Sequence, residues 1–82
     1  IDPGHGGIDP GAIAQNGLRE KDIVLSLAKA LRKELEDSGE YRVAMTREKD
    51  IFIKLADRVK FAREAGGDLF ISLHADSVGN SE

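Results

Sequence analysis

The chain contains no cysteine, which excludes a disulfide framework and any thiolate-held metal and leaves either redox compartment open. No apolar run approaches the roughly 20 residues that a bilayer-spanning helix needs, so the reading is not membrane-spanning. No basic run occurs either, and a formal net charge of −3 speaks against nucleic acid as a partner. The spacings of the Walker loop and of the dinucleotide fingerprint are both missing. No serine or cysteine stands in a nucleophile elbow or triad context; Ser72, beside a histidine-bearing strand end, is a single weak hit. Internal repeats, low-complexity tracts and linkers are absent. No signal peptide is present, but the chain opens at Ile1 without a methionine, so that absence carries no information on targeting.

What is there suits one small domain at most, since the chain has 82 residues. A chain this short hides only about 60–65% of its unfolded surface, so the core is thin. Charged residues at 33% and hydrophobic ones at 40% fit a soluble globular piece. Ile1 reads as the end of a strand, and residues 4–19, with five glycines and Pro10, read as loop. From about Glu20 to Asp37 the apolar period is helical, with Ile23, Leu27, Leu31 and Leu35 at steps of four, and Ser38-Gly39 stops it. Tyr41 to Met45 alternates like a strand. A second helix is expected from about Lys54 to Glu64, ended by Gly66-Gly67, and Leu69 to Leu73 forms a third, more uniformly apolar and therefore central strand. The order β-α-β-α-β predicts an α/β fold with a mostly parallel sheet and flanking helices, incomplete at the C-terminus. The expected core is Ile23, Val24, Leu27, Leu31, Leu35, Val59, Leu69 and Ile71.

The chain's two histidines fall at strand ends. His5 sits in the glycine-rich stretch Gly4-His5-Gly6-Gly7, and His74 follows Phe70-Ile71-Ser72-Leu73. Open α/β sheets place their chemistry at the carboxyl ends of strands. If these strands are neighbours, the imidazoles emerge together, and one carboxylate would complete a three-ligand metal site with an open fourth position. Each residue also has a plain structural reading. His5 could be a loop histidine bonded to backbone, and His74 a satisfied strand-end histidine. Glu20, in the first helical turn, could serve only the helix dipole. The glycine-rich loop could instead cradle an anion, though 16 loop residues are too many for a tight turn into a helix. Asp2, Asp9 and Asp76 are candidates to orient the histidines, with turn chemistry at Asp2-Pro3 and Asp9-Pro10 as the alternative.

Four ordered segments carry a family resemblance. Ile1-Asp2-Pro3-Gly4-His5-Gly6-Gly7, continuing through Asp9-Pro10-Gly11-Ala12, resembles the opening motif of the zinc-dependent N-acetylmuramoyl-L-alanine amidases of the type-3 amidase family. Leu18 to Leu25 is similar to that family's glutamate segment. Thr46-Arg47 through Asp50, with Leu55 to Arg58, resembles its arginine segment, and Phe70 to Asp76 its second histidine segment. One departure is Arg63, where an asparagine is common.

The resemblance implies that the zinc ligands are His5, Glu20 and His74, and that residues 1–82 are the N-terminal part of a single zinc amidase catalytic domain. It implies hydrolysis of the amide between N-acetylmuramic acid and L-alanine in peptidoglycan, in the periplasm or cell wall, with an activator protein as a further partner. The family's catalytic glutamate lies on a later strand, and no segment here matches it; Glu82 follows His74 too closely. In members with a regulatory helix, the aspartate matching Asp76 also reaches zinc. Two alternatives stand beside this reading: a zinc peptidase or carboxypeptidase on a related fold, and a non-catalytic cell-wall binding module.

Overall fold

The computed structural model describes residues 1–75, so Asp76 and the polar stretch from Ser77 to Glu82 lie outside the described residues. The elements run β1 (Asp2–Pro3), α1 (Glu20–Asp37), α2 (Leu55–Glu64) and β2 (Ser72–Leu73). β1 and β2 pair in parallel, with Asp2 opposite Ser72 and Pro3 opposite Leu73. The α/β class is the expected one.

α1 starts without a side-chain cap at Arg19. The loop supplies the acceptors instead: Glu20 N–H donates to Ala12 O at 2.8 Å and Lys21 N–H to Pro10 O at 3.0 Å. Two of the four orphan donors at a helix start are thereby satisfied, and the start of α1 is fixed to the glycine-rich loop. The helix ends where expected, with the Ser38 hydroxyl donating to Leu35 O at 2.6 Å and Gly39 in the left-handed region at φ 78°.

The expected strand at Tyr41 to Met45 is not a regular strand. It is extended and joins the sheet only at its end, where Ile1 N–H donates to Ala44 O at 2.7 Å and Thr46 N–H to Ile1 O at 3.0 Å. Past Thr46 the ladder stops, because Pro3 has no N–H to give and its carbonyl is taken by the Arg47 guanidinium at 3.2 Å instead of by backbone. β1 therefore lies between this segment and β2. Leu69 to Leu73 was expected to be central; among the described residues it pairs on one side only, and Leu69 is 76% exposed.

The core also departs from expectation. Of the residues predicted for it, Val24 is fully buried, whereas Ile23, Leu27, Val59 and Leu69 are exposed and Leu31, Leu35 and Ile71 are intermediate. α1 carries apolar residues on more than one stripe. The stripe turned inward is Glu20, Val24 and Ala28, at steps of four, with Lys21 beside it. The small Val24 and Ala28 let the helix lie close to β1, and that closeness delivers Glu20 to the sheet edge. On α2 the one buried side chain is Arg58, not the apolar Leu55 or Val59.

Candidate metal centre

Parallel pairing sends both chain exits to one edge of the sheet. β1 leads through Gly4 into His5, and β2 leads directly into His74. The approach is close enough to require glycine: a Cβ on Gly4 would stand 2.6 Å from His74 Cε1 and 2.9 Å from Leu73 O. A Cβ on Gly11, which also has φ +69°, would stand 2.7 Å from both Glu20 Oε1 and His5 Cδ2. His5 itself holds φ 60°, the one non-glycine residue in the left-handed region among the described residues. Such backbone costs of order 1–3 kcal/mol and persists where the surroundings over-determine it.

His5, Glu20 and His74 converge as the sequence predicts. His5 Nε2 lies 3.0 Å from Glu20 Oε2, His74 Nδ1 lies 3.4 Å from the same oxygen, and the two nitrogens are 3.4 Å apart. The imidazoles meet edge to face, with centroids 5.2 Å apart. Zinc–nitrogen and zinc–oxygen bonds of about 2.0–2.1 Å in a tetrahedral shell put neighbouring donor atoms about 3.3 Å apart. The three separations match that edge, and two imidazoles with a carboxylate are a common zinc donor set, so the residues fit the ion.

Glu20 is the buried anchor of the group at 2% exposure, while the His74 side chain is 47% exposed and marks the open side. Burial opposes the charge on Glu20. The N–H groups of Ala12, donating to Oε1, and of Ala75, donating to Oε2, both at 2.9 Å, outweigh it together with the imidazoles and hold the carboxyl below its usual range. These bonds come from two loops, so Glu20 does more than serve its own helix.

Asp9 takes the orienting role expected of it. His5 Nδ1 stands 2.8 Å from Asp9 Oδ2. That hydrogen bond, ahead of the opposing effect of burial, holds the Asp9 carboxyl low. An ionised carboxylate can only accept, so Nδ1 carries a hydrogen, and Nε2, which faces Glu20, is the nitrogen left to bind a metal. Asp2 does not touch a histidine. Its Oδ1 accepts from Thr46 Oγ1 and from Arg58 Nη1, each at 2.7 Å, and its Oδ2 accepts from Ser72 Oγ at 2.9 Å. Asp76 lies outside the described residues.

Sequence reading placed Arg47 and Arg58 within family-like segments but gave the cations beneath the site no role. Arg58 donates to the carbonyls of Pro3 at 2.7 Å and His5 at 2.8 Å. Arg47 donates to Gly4 O at 2.8 Å and Lys21 O at 2.9 Å. The Lys21 ammonium bonds Gly7 O at 2.9 Å and Asp50 Oδ2 at 2.8 Å, and Asp50 Oδ1 accepts from Gly7 N–H at 2.7 Å. Together these groups fix the loop that presents His5. The available signal was placement: Arg58 falls three residues after Leu55 on the supposed apolar face, and Lys21 three before Val24.

A family described as N-acetylmuramoyl-L-alanine amidase (Amidase_3) matches residues 1–82. The chain is 51% identical over 80 residues to N-acetylmuramoyl-L-alanine amidase AmiA of Escherichia coli strain K12, covering 98% of this chain and 27% of the relative. It is 52% identical over 77 residues to AmiC of Neisseria meningitidis serogroup B, covering 94% of this chain and 18% of the relative. The structure of AmiC2 of Nostoc punctiforme superposes with a TM-score of 0.90 at 44% identity, over 98% of this chain and 44% of that one. The chain thus spans about a quarter or less of the curated relatives' length and under half of the solved chain. On the family match across its whole length, the chain belongs to the N-acetylmuramoyl-L-alanine amidase family.

Proposed function

We propose that residues 1–82 are the N-terminal part of one catalytic domain in a longer protein that hydrolyses the amide between N-acetylmuramic acid and L-alanine in peptidoglycan. The observation that carries this reading is the convergence of His5 Nε2, His74 Nδ1 and Glu20 Oε2 within 3.0–3.4 Å of one another. The proposed ligand set is His5, Glu20 and His74, and the proposed ion is zinc, which when bound supplies Lewis acidity toward a carbonyl and activates water near neutral pH. Glu20 contributes the negative charge, kept ionised against its burial by the N–H groups of Ala12 and Ala75. His5 contributes a lone pair held in place by Asp9. The exposed side of His74 is where a polymer substrate gains access.

Amide hydrolysis also needs a proton delivered to the leaving amine. Asp2, Asp9 and Asp50 are each committed to hydrogen bonds within the chain. The family's catalytic glutamate has no match in residues 1–82, so the shuttle is assigned to a carboxylate outside them, and the 82-residue piece alone is expected to show no turnover. The proposed setting is the periplasm or cell wall, with peptidoglycan as substrate and an activator protein as a possible regulator. No helix among the described residues is long and apolar enough to cross a membrane.

The test is product analysis on intact muropeptides with the full-length protein. Release of the stem peptide from the sugar, abolished by a chelator, is the expected result. Cleavage within the peptide would replace the amidase by a peptidase. Metal analysis of His74→Ala checks the ligands: zinc held as tightly as in the parent would refute the assignment.

A further inference from the structure

We infer that Ser72 and Asp2 are positioning residues for the His74 ligand, with the serine hydroxyl relaying the carboxylate's hydrogen-bond polarity to the imidazole. This inference rests on the proposed ligand role of His74. Ser72 Oγ lies 2.9 Å from Asp2 Oδ2 and 3.1 Å from His74 Nε2. Asp2 is almost fully buried and faces the Arg58 guanidinium, so it is a carboxylate and can only accept. The Ser72 hydroxyl hydrogen is therefore spent on Asp2. Toward His74 the same oxygen can then only accept, which places the ring hydrogen on Nε2. Nδ1 is left as a bare lone pair, aimed at Glu20 Oε2 and His5 Nε2.

The two histidines are thus wired differently to the same end. His5 donates to a carboxylate directly, and His74 reaches one through a hydroxyl. A cation between the two inward nitrogens and Glu20 Oε2 would take a lone pair from each and satisfy all three. Arg58 closes the arrangement, because it holds Asp2 Oδ1 and the His5 carbonyl with one guanidinium.

An isosteric change reverses the relay. In Asp2→Asn the amide oxygen must take the Oδ1 place, because Arg58 can only donate. The amide NH2 then faces Ser72, whose hydroxyl turns to donate to His74 Nε2. The ring hydrogen moves to Nδ1, the nitrogen that faces Glu20.

The experiment measures zinc affinity by chelator competition in the full-length parent, Ser72→Ala, Ser72→Thr, Asp2→Asn and His74→Ala, and reads the His74 tautomer by nitrogen NMR in the metal-free parent. The expected results are hydrogen on Nε2 in the parent and zinc affinity about 10–100-fold weaker in Ser72→Ala. Ser72→Thr, which keeps the hydroxyl, should recover most of that loss. Asp2→Asn, if its metal-free amide spectrum shows it folded, should lose at least as much as Ser72→Ala. Zinc affinity that depends on His74 but not on Ser72 overturns the relay alone, as does a ring hydrogen on Nδ1. A parent that binds no zinc, or His74→Ala binding as tightly as the parent, overturns the ligand assignment and the relay with it.

Discussion

The two ends of this sheet are built on opposite chemistry. At the carboxyl end, Asp2, Glu20, Lys21, Arg47 and Arg58 are 2–6% exposed, and among the described residues no buried side-chain polar atom lacks a partner. At the other end lies an apolar groove of about 630 Å³, lined by Leu35, Tyr41, Val43, Phe61, Leu69 and Phe70 among others, several of them exposed. Ordinary domains put hydrocarbon inside and charge outside. Here the charged end is finished and the apolar end is not. Hydrogen bonds are directional and close within a few residues, so a polar site can be complete in a part of a domain. Hydrophobic burial needs area, and under the proposed reading that area comes from the rest of a longer domain.

The contrast breaks most readily at Arg58. Arg58→Ala removes the charged partner of a fully buried carboxylate, frees the carbonyls of His5 and Ile53, and leaves that of Pro3 to Arg47 alone. Breaking a buried pair in this way costs about 3–5 kcal/mol. Reversible denaturation of the full-length protein should show it. Arg58→Lys should rescue little, because an ammonium cannot replace a planar fork serving several acceptors. A loss below about 1 kcal/mol in Arg58→Ala would mean that the ionic end does not hold the fold.

Acid should attack the same end. Burial opposes the Asp2 charge, but hydrogen bonds from Thr46, Arg58 and Ser72 outweigh it and hold the carboxyl below its ordinary value. The folded pKa lies below the unfolded one, so the stabilisation is fully present above the unfolded value of about 3.9. It is lost as pH falls through the lower folded value. Stability measured against pH should therefore decline at the acid limb, and Asp2→Asn should flatten that limb. Parallel curves for the two proteins would remove Asp2 from the account.

The inward stripe of α1 offers a third test. Ala28, two turns after Glu20 on the same stripe of α1, is fully buried. Ala28→Leu should cost about 1–3 kcal/mol through overpacking, and it should weaken metal binding as well by pushing Glu20 off the sheet edge. Unchanged metal affinity would show that Glu20 is placed by the loop carbonyls alone.

How much of this was legible in the sequence follows from the same physics. The bounds of α1 were readable because the apolar period and Ser38-Gly39 are local signals, and α2 starts one residue later than expected, at Leu55. The convergence of His5, Glu20 and His74 was readable because motif order placed two of them at strand ends and one at a helix start. The irregular segment at Tyr41 to Met45 was not, because alternating side chains do not tell how many backbone groups find a partner, and here only Ala44 and Thr46 bond Ile1. The buried stripe of α1 was not, since apolar residues lie on more than one of its faces. The burial of Arg47 and Arg58 was not, because the carbonyls that justify it come together only once the loop is folded.

Leu27 gives the smallest expected effect and the most direct measure of the unfinished end. It sits one position from Ala28, yet it is 53% exposed where Ala28 is fully buried. A fully buried leucine loses about 2–5 kcal/mol on truncation to alanine, through transfer and cavity contributions together. A half-exposed one leaves no closed cavity and gives up only part of the transfer energy, so Leu27→Ala should cost about 1 kcal/mol or less. Val24→Ala, on the inward stripe, should cost more despite removing fewer atoms. Reversible denaturation of the two variants in the full-length protein compares the faces directly. If Leu27→Ala instead falls in the range for full burial, an element beyond the described residues covers that stripe, and the apolar side of α1 is a domain core rather than a free surface.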